Sequence, residues 1–98
     1  MQVVAAAASE TGPLPGQSHR SGYNFSLLTN NNNSITLSAP GGFVFDIKQD
    51  VTGTDPTPVS NATNGTVVPG GALVAGRNYY IANPQHATAS FAVVLNQE

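Results

Sequence analysis

Leu73-Val74-Ala75-Gly76-Arg77-Asn78-Tyr79-Tyr80-Ile81-Ala82 decides how this chain folds. Leu73, Gly76 and Tyr79 carry the spacing of a tyrosine corner, in which a Tyr near the start of a late strand returns its hydroxyl to backbone a few residues upstream. Such a corner pins a crossover between two sheets. The stretch therefore predicts that the residues around it are strands of a two-layered β protein.

The Leu-x-x-Gly-x-x-Tyr pattern resembles the corner between the fifth and sixth strands of immunoglobulin-like and fibronectin-type sandwiches, and the resemblance covers these ten residues. Alternation elsewhere agrees with a sheet protein. Tyr23, Phe25 and Leu27 face one way over 23–29, with Asn24, Ser26 and Leu28 facing the other. Asn30 to Ser34 form a turn, because Asn tolerates left-handed backbone. Ile35, Leu37 and Ala39 define a second strand that Pro40-Gly41-Gly42 stops. In the third strand Phe43, Phe45, Ile47 and Val51 face a core, while Val44, Asp46, Lys48 and Asp50 face outward.

Residues 52–63, with Gly53, Pro56, Pro58 and Asn61, read as a long loop or an extended edge segment anchored by Val59. Asn64-Gly65 is the strongest short hairpin signal in the chain. Residues 82–85 turn again, and a last strand over 87–95 sends Ala89, Phe91, Val93 and Leu95 inward. Six or seven short strands without helical periodicity predict an all-β fold, a small antiparallel β-sandwich of immunoglobulin-like or jelly-roll-like type over 23–98. Residues 1–22, Ala-rich and then broken by Pro13 and Pro15, read as an extended N-terminal arm with no alternation. A disordered tail is the alternative for such a composition.

The totals bound the partners. A sheet protein of 98 residues buries only about 60–65% of its unfolded surface, and with no Cys it has no disulfide to support so small a core. Packing, neighbouring subunits or both must supply stability. Charged residues make up 8% of the chain against a typical ~25%, so neutral polar groups solvate the outer faces. Three cations are too few to neutralise a phosphate backbone, which argues against nucleic acid. No apolar run approaches the ~20 residues that span a bilayer as a helix, and the start lacks the basic flank of a signal peptide, so Met1 reads as a retained start and no membrane partner is expected.

No group of residues reads as a catalytic or cofactor site. His19 and His86 are the two histidines, and neither stands beside a nucleophile elbow. Asp46, Asp50 and Asp55 do not have the spacing of a calcium loop and read as a solvated face. Gly41-Gly42 and Gly70-Gly71 precede strands, which argues against a phosphate cradle. Asn24, Asn32, Asn61 and Asn64 each open an Asn-x-Ser/Thr sequon, which the Asn and Thr richness of the chain explains. Tyr80 alone is left over for sugar stacking. No metal and no cofactor are expected.

A small, weakly charged, neutral-polar sandwich with a terminal arm resembles the small all-β decoration, or cement, proteins of tailed-bacteriophage capsids. The resemblance implies a non-enzymatic virion protein on the outside of a head shell, assembled in the host cytoplasm. It also implies contacts with the major capsid protein and a homo-oligomer such as a trimer. Val3, Val4 and Leu14 of the arm and the outward Val44, Ala92 and Val94 are the candidate contacts, since apolar groups aligned on a sheet face mark interaction surfaces. The alternative is a receptor- or glycan-binding module of a fibre or adhesin, using the loops at 30–34, 52–63 and 83–86.

Overall fold

The computed structural model describes residues 2–7, 24–27, 33–85 and 91–97. They form seven strands: β1 Gln2–Ala7, β2 Ile35–Ser38, β3 Val44–Gln49, β4 Val59–Ala62, β5 Val67–Val68, β6 Tyr79–Gln85 and β7 Phe91–Gln97. There is no helix among the described residues. The strands build a four-stranded sheet in the order β1-β7-β2-β5 and a three-stranded sheet in the order β4-β3-β6, antiparallel throughout. The shortest dimension of the molecule, 20 Å, suits two sheets packed face to face at about 10 Å.

The pairing follows one rule. Segments early in the chain pair with segments late in the chain in reverse order: β1 with β7, the 24–27 segment with β6, β2 with β5, and β3 with β4. The second of these is a single bridge in which Phe25 and Tyr79 exchange both backbone hydrogen bonds at 2.8 Å. The chain is thus one long ribbon doubled back at the loop after β3, with successive pairs falling alternately in the two sheets. Additional pairings of β7 with β2 and β3 with β6 close each sheet.

The period-2 pattern explains which faces meet. Ile35 and Leu37, Phe45 and Ile47, and Phe91, Val93 and Leu95 are all buried and belong to one core, as their alternation predicts. Phe45 and Phe91 stand on opposite sheets with ring centroids 6.4 Å apart, and Phe43 meets Phe91 edge-on at 4.7 Å. Burying each such side chain contributes about 1.5–3 kcal/mol. Phe25 and Leu27 also lie in this core while Ser26 is exposed; Tyr23 and Leu28 lie outside the described residues.

The corner forms as its spacing predicts. The Val74 N–H donates to the Tyr79 hydroxyl oxygen at 2.8 Å, Leu73 is buried, and Gly76 holds φ at +88°. That φ belongs to the third position of a type II turn, closed here by the Arg77 N–H on the Val74 carbonyl at 3.3 Å, and glycine enters it without steric cost. The corner carries the chain from β5 in one sheet to β6 in the other.

Three expectations need correction. Gln2–Ala7 is not part of a free arm: it is the edge strand β1, in register with β7 from Gln2 opposite Asn96 to Ala7 opposite Phe91. Ala5 is completely buried. Alternation is invisible there because Val and Ala occupy both faces and give no polarity contrast. The remainder of the 1–22 segment lies outside the described residues.

Asn64-Gly65 does not close a hairpin, since β4 and β5 belong to different sheets. A type I′ hairpin turn needs positive φ at both central residues, and of the two only Gly65 has it, at +91°. Thr66 N–H bonds the Thr63 carbonyl at 3.1 Å, which makes a type II turn and redirects the chain across the sandwich.

The 52–63 segment includes the edge strand β4, as the extended-edge reading of it expected, anchored by Ala62 as well as Val59. The turn expected at 82–85 is instead the end of β6, where the ladder to β3 shifts register. The last strand runs on to Gln97, which turns inward and is 5% exposed, while Ala89 and the rest of 86–90 lie outside the described residues.

Candidate functional site

The outer face of the four-stranded sheet is built from three neighbouring strands and a short fourth. Cross-strand register sets Val4 beside Val94 and Val94 beside Ser38 in one row, with Gln2, Asn96, Thr36 and Val67 in the next. Val4 is 63% exposed and Val67 60%; Ala92 is exposed and Val94 half-buried. The polar groups of the second row are tied together. Gln2 Nε2 donates to Asn96 Oδ1 at 2.7 Å, and Asn96 Nδ2 donates to Ser38 Oγ at 3.2 Å and to the Thr36 carbonyl at 3.3 Å. Their mutual pairing lowers the desolvation cost that free amides would pay in a contact.

No residue of β1, β2, β5 or β7 is charged. All five charged side chains among the described residues, Asp46, Lys48, Asp50, Asp55 and Arg77, stand on the three-stranded sheet or in loops outside the strands. Among the described residues, the four-stranded sheet thus carries exposed valines and no charged side chain, and the charge stands on the other sheet and in the loops.

Of the candidate contacts, Val4, Ala92 and Val94 come together on this face. Val3 does not join them. It points the other way along β1 and packs against the core, because successive side chains of a strand alternate. Val44 is on the other sheet, paired with Gln85 and half-buried. Leu14 lies outside the described residues.

The charged side is organised by hydrogen bonds. Between the bridges Phe45–Ala62 and Ile47–Val59, Asp46 alone faces two β4 residues, Ser60 and Asn61. Between Val44–Gln85 and Asp46–Ala82, Phe45 alone faces Asn83 and Pro84. Each is a β-bulge, and each carries an Asn with positive φ, Asn61 at 55° and Asn83 at 51°, a conformation that Asn enters more readily than most residues. The Asp46 carboxylate accepts from both: the Asn61 backbone N–H at 2.8 Å on Oδ1 and Asn83 Nδ2 at 2.8 Å on Oδ2. Neither bulge was legible in the alternation pattern; Asn in a strand-like run is the one signal for them.

Tyr80, the one Tyr left for sugar stacking, is fully buried and has no free ring face to offer. It lies beyond the main core on the outward side of β6, and its hydroxyl donates to Asp55 Oδ2 at 2.6 Å. Burial, then the Asp55 hydrogen bond and the charges of Asp55 and Asp50, hold its hydroxyl well above the ordinary tyrosine range. Asp55 Oδ1 meanwhile accepts the Val51 N–H at 3.0 Å, and Asp50 Oδ2 accepts Asn24 Nδ2 at 2.9 Å. Asp46 thus ties the two bulges while Asp50 and Asp55 both act on Tyr80, and no group of three or more metal-ligating residues occurs among the described residues. His19 and His86 lie outside them.

Comparison with family models, with curated proteins and with solved structures gives no match to this chain.

Proposed function

We propose that this protein is a non-enzymatic virion structural protein that decorates or cements the outside of a phage capsid, docking on major capsid subunits through the uncharged face of the β1-β7-β2-β5 sheet. The observation that carries the reading is the segregation of charge among the described residues, which leaves Val4, Val67, Ala92 and Val94 on a sheet none of whose four strands has a charged residue. Such a face is cheap to desolvate and fits another neutral surface. The reverse-order ribbon pairing supports it: eight segments wound this way, counting 24–27, make a jelly roll, an architecture that recurs in viral capsid and lectin domains. Assembly into a ring, such as a trimer, would place several modest faces on one shell and multiply their effect by avidity.

Co-sedimentation with purified heads tests this. Val4→Asp and Val94→Asp are expected to abolish co-sedimentation, while Ser60→Asp, exposed on the opposite sheet, leaves it intact. Equal binding by all three would sink the docking face.

A second reading has one observation in its favour. Two of the three segments assigned to a glycan- or receptor-binding module, 52–63 and 83–86, bring the bulged strand residues Asn61 and Asn83 to Asp46, Asn61 through its backbone N–H and Asn83 through its side chain, and both residues are exposed. Carboxylate and carboxamide groups of this kind hydrogen-bond sugar hydroxyls. Glycan-array binding lost in Asn83→Ala and retained in Val4→Asp would replace the capsid reading with this one.

A further inference from the structure

Asn64-Gly65 is the one Asn-Gly step in the chain, and the fold uses it without the hairpin that the pair ordinarily signals. Asn-Gly is also the dipeptide most prone to succinimide chemistry, because glycine offers no side chain to hinder attack by its own amide nitrogen. Both residues are exposed, so water and base have access. Two hydrogen bonds to Leu37 of β2 and one from Ala39 just beyond it nevertheless clamp the step. The Gly65 N–H donates to the Leu37 carbonyl at 2.7 Å, the Leu37 N–H donates to the Thr66 carbonyl at 2.8 Å, and the Ala39 N–H donates to Asn64 Oδ1 at 3.1 Å.

We propose that Asn64 is a deamidation site held inert by β2 and released only when the corner between β2 and the turn opens. The reaction defines what the clamp must prevent. Gly65 N loses its proton to base and attacks Asn64 Cγ; the N–Cγ bond forms, the Cγ–Nδ2 bond breaks, and Nδ2 takes a proton from water and leaves as ammonia. Water then opens the cyclic imide at either carbonyl, giving Asp or isoaspartate at position 64. In the closed corner the Gly65 N–H is committed to Leu37, and the carboxamide is held by its oxygen to Ala39 and cannot swing onto the nitrogen.

The consequence is directional. Isoaspartate inserts a methylene into the backbone between 64 and 65, so the type II turn cannot re-form with Gly65 opposite Leu37. A transient opening is thereby converted into a permanent covalent mark on the β2–β5 side of the sandwich. The hold on this corner is short: β2 and β5 share two register pairs, Ile35–Val68 and Thr36–Val67. Val68 is the buried member of β5.

The test is a time course of the full chain at mildly alkaline pH, with peptide mapping of Asn64. Native protein is expected to convert at least about tenfold more slowly than the same chain in urea, as local opening then limits the rate. Val68→Ala, which loosens β5 from β2, is expected to convert faster than wild type. Asn64 conversion in native protein as fast as in urea overturns the proposal. So does a Val68→Ala protein with a native near-ultraviolet spectrum and a wild-type rate. Should Val68→Ala not fold, amide exchange at Gly65 in wild type decides: a protected amide supports the clamp, and exchange at the unfolded rate removes it.

Discussion

Asn83 Nδ2 lies 2.8 Å from Asp46 Oδ2 across the irregular end of the β3–β6 ladder. The side chain of one bulged residue is thus held by the central strand. The opposite oxygen of the same carboxylate holds the Asn61 backbone N–H of the second bulge, so one acid on the middle strand fixes irregularities on both of its neighbours. Bulges twist a strand and re-aim its side chains; here they set the outer face of the three-stranded sheet.

Asp46→Ala should therefore cost about 1.5–3 kcal/mol, the range for hydrogen bonds to a charged group. Asp46→Asn, which keeps an acceptor, should recover part of it. Urea midpoints of the two variants provide the check, and amide exchange at Asn61 should rise in the alanine variant alone.

The corner makes a second, independent prediction. Tyr79→Phe keeps the buried ring but leaves the Val74 N–H without its 2.8 Å acceptor. A loss of about 1–2 kcal/mol is expected, seen as a lower urea midpoint with unchanged slope. A neutral variant would mean that the crossover is held by Leu73 and ring packing alone.

Tyr80 predicts the alkaline limb of stability. Above about pH 10 the unfolded chain loses its tyrosine protons, whereas Tyr80 in the fold keeps its own because its hydroxyl is raised by burial and by Asp55. The native state then binds more protons than the unfolded state, so stability falls as pH rises through this window. Tyr80→Phe should be less stable near neutrality, having lost the Asp55 hydrogen bond, yet show a shallower decline above pH 10. Urea unfolding at several pH values between neutrality and the alkaline limb measures both effects.

Strand β1 separates neighbouring positions sharply. Ala5→Asp places an unpaired charge in the core and should cost more than about 3 kcal/mol or prevent folding. Val4→Asp, one residue earlier and 63% exposed, should stay within about 0.5 kcal/mol of wild type. Equal tolerance at both positions would return Gln2–Ala7 to the status of a loose arm.

Much of the core was legible in the chain because its signal is local. Ile35 and Leu37, Phe45 and Ile47, and Phe91, Val93 and Leu95 each alternate with polar or smaller residues, and a pleated strand turns that alternation into an inside and an outside. Ala92 and Val94 were legible as outward apolar groups for the same reason, whereas Val4 reads only as an apolar residue of the arm, with no face assigned to it. The inward face of Val3 was not legible either, since Gln2–Ala7 has nothing but small and apolar side chains after its first residue and either register reads alike. Asn64-Gly65 misled because its two-residue turn signal is shared by hairpins and by crossings between sheets; strand partners many residues away choose between them.

By itself, then, the order of residues determined the strands around Ile35–Leu37, Phe45–Ile47 and Phe91–Leu95 with their buried faces, the Leu73–Gly76–Tyr79 corner and the scarcity of charge, since all of these follow from side-chain periodicity and from backbone preferences within a few residues. Tertiary structure decided the rest. The reverse-order winding sets β1 against β7, gathers three valine and alanine positions from two distant segments on one uncharged face, brings Asn61 and Asn83 to Asp46, and seals Tyr80 against Asp55. Each of these depends on which strand becomes whose neighbour, and that choice is made by the whole core as it closes between the two sheets.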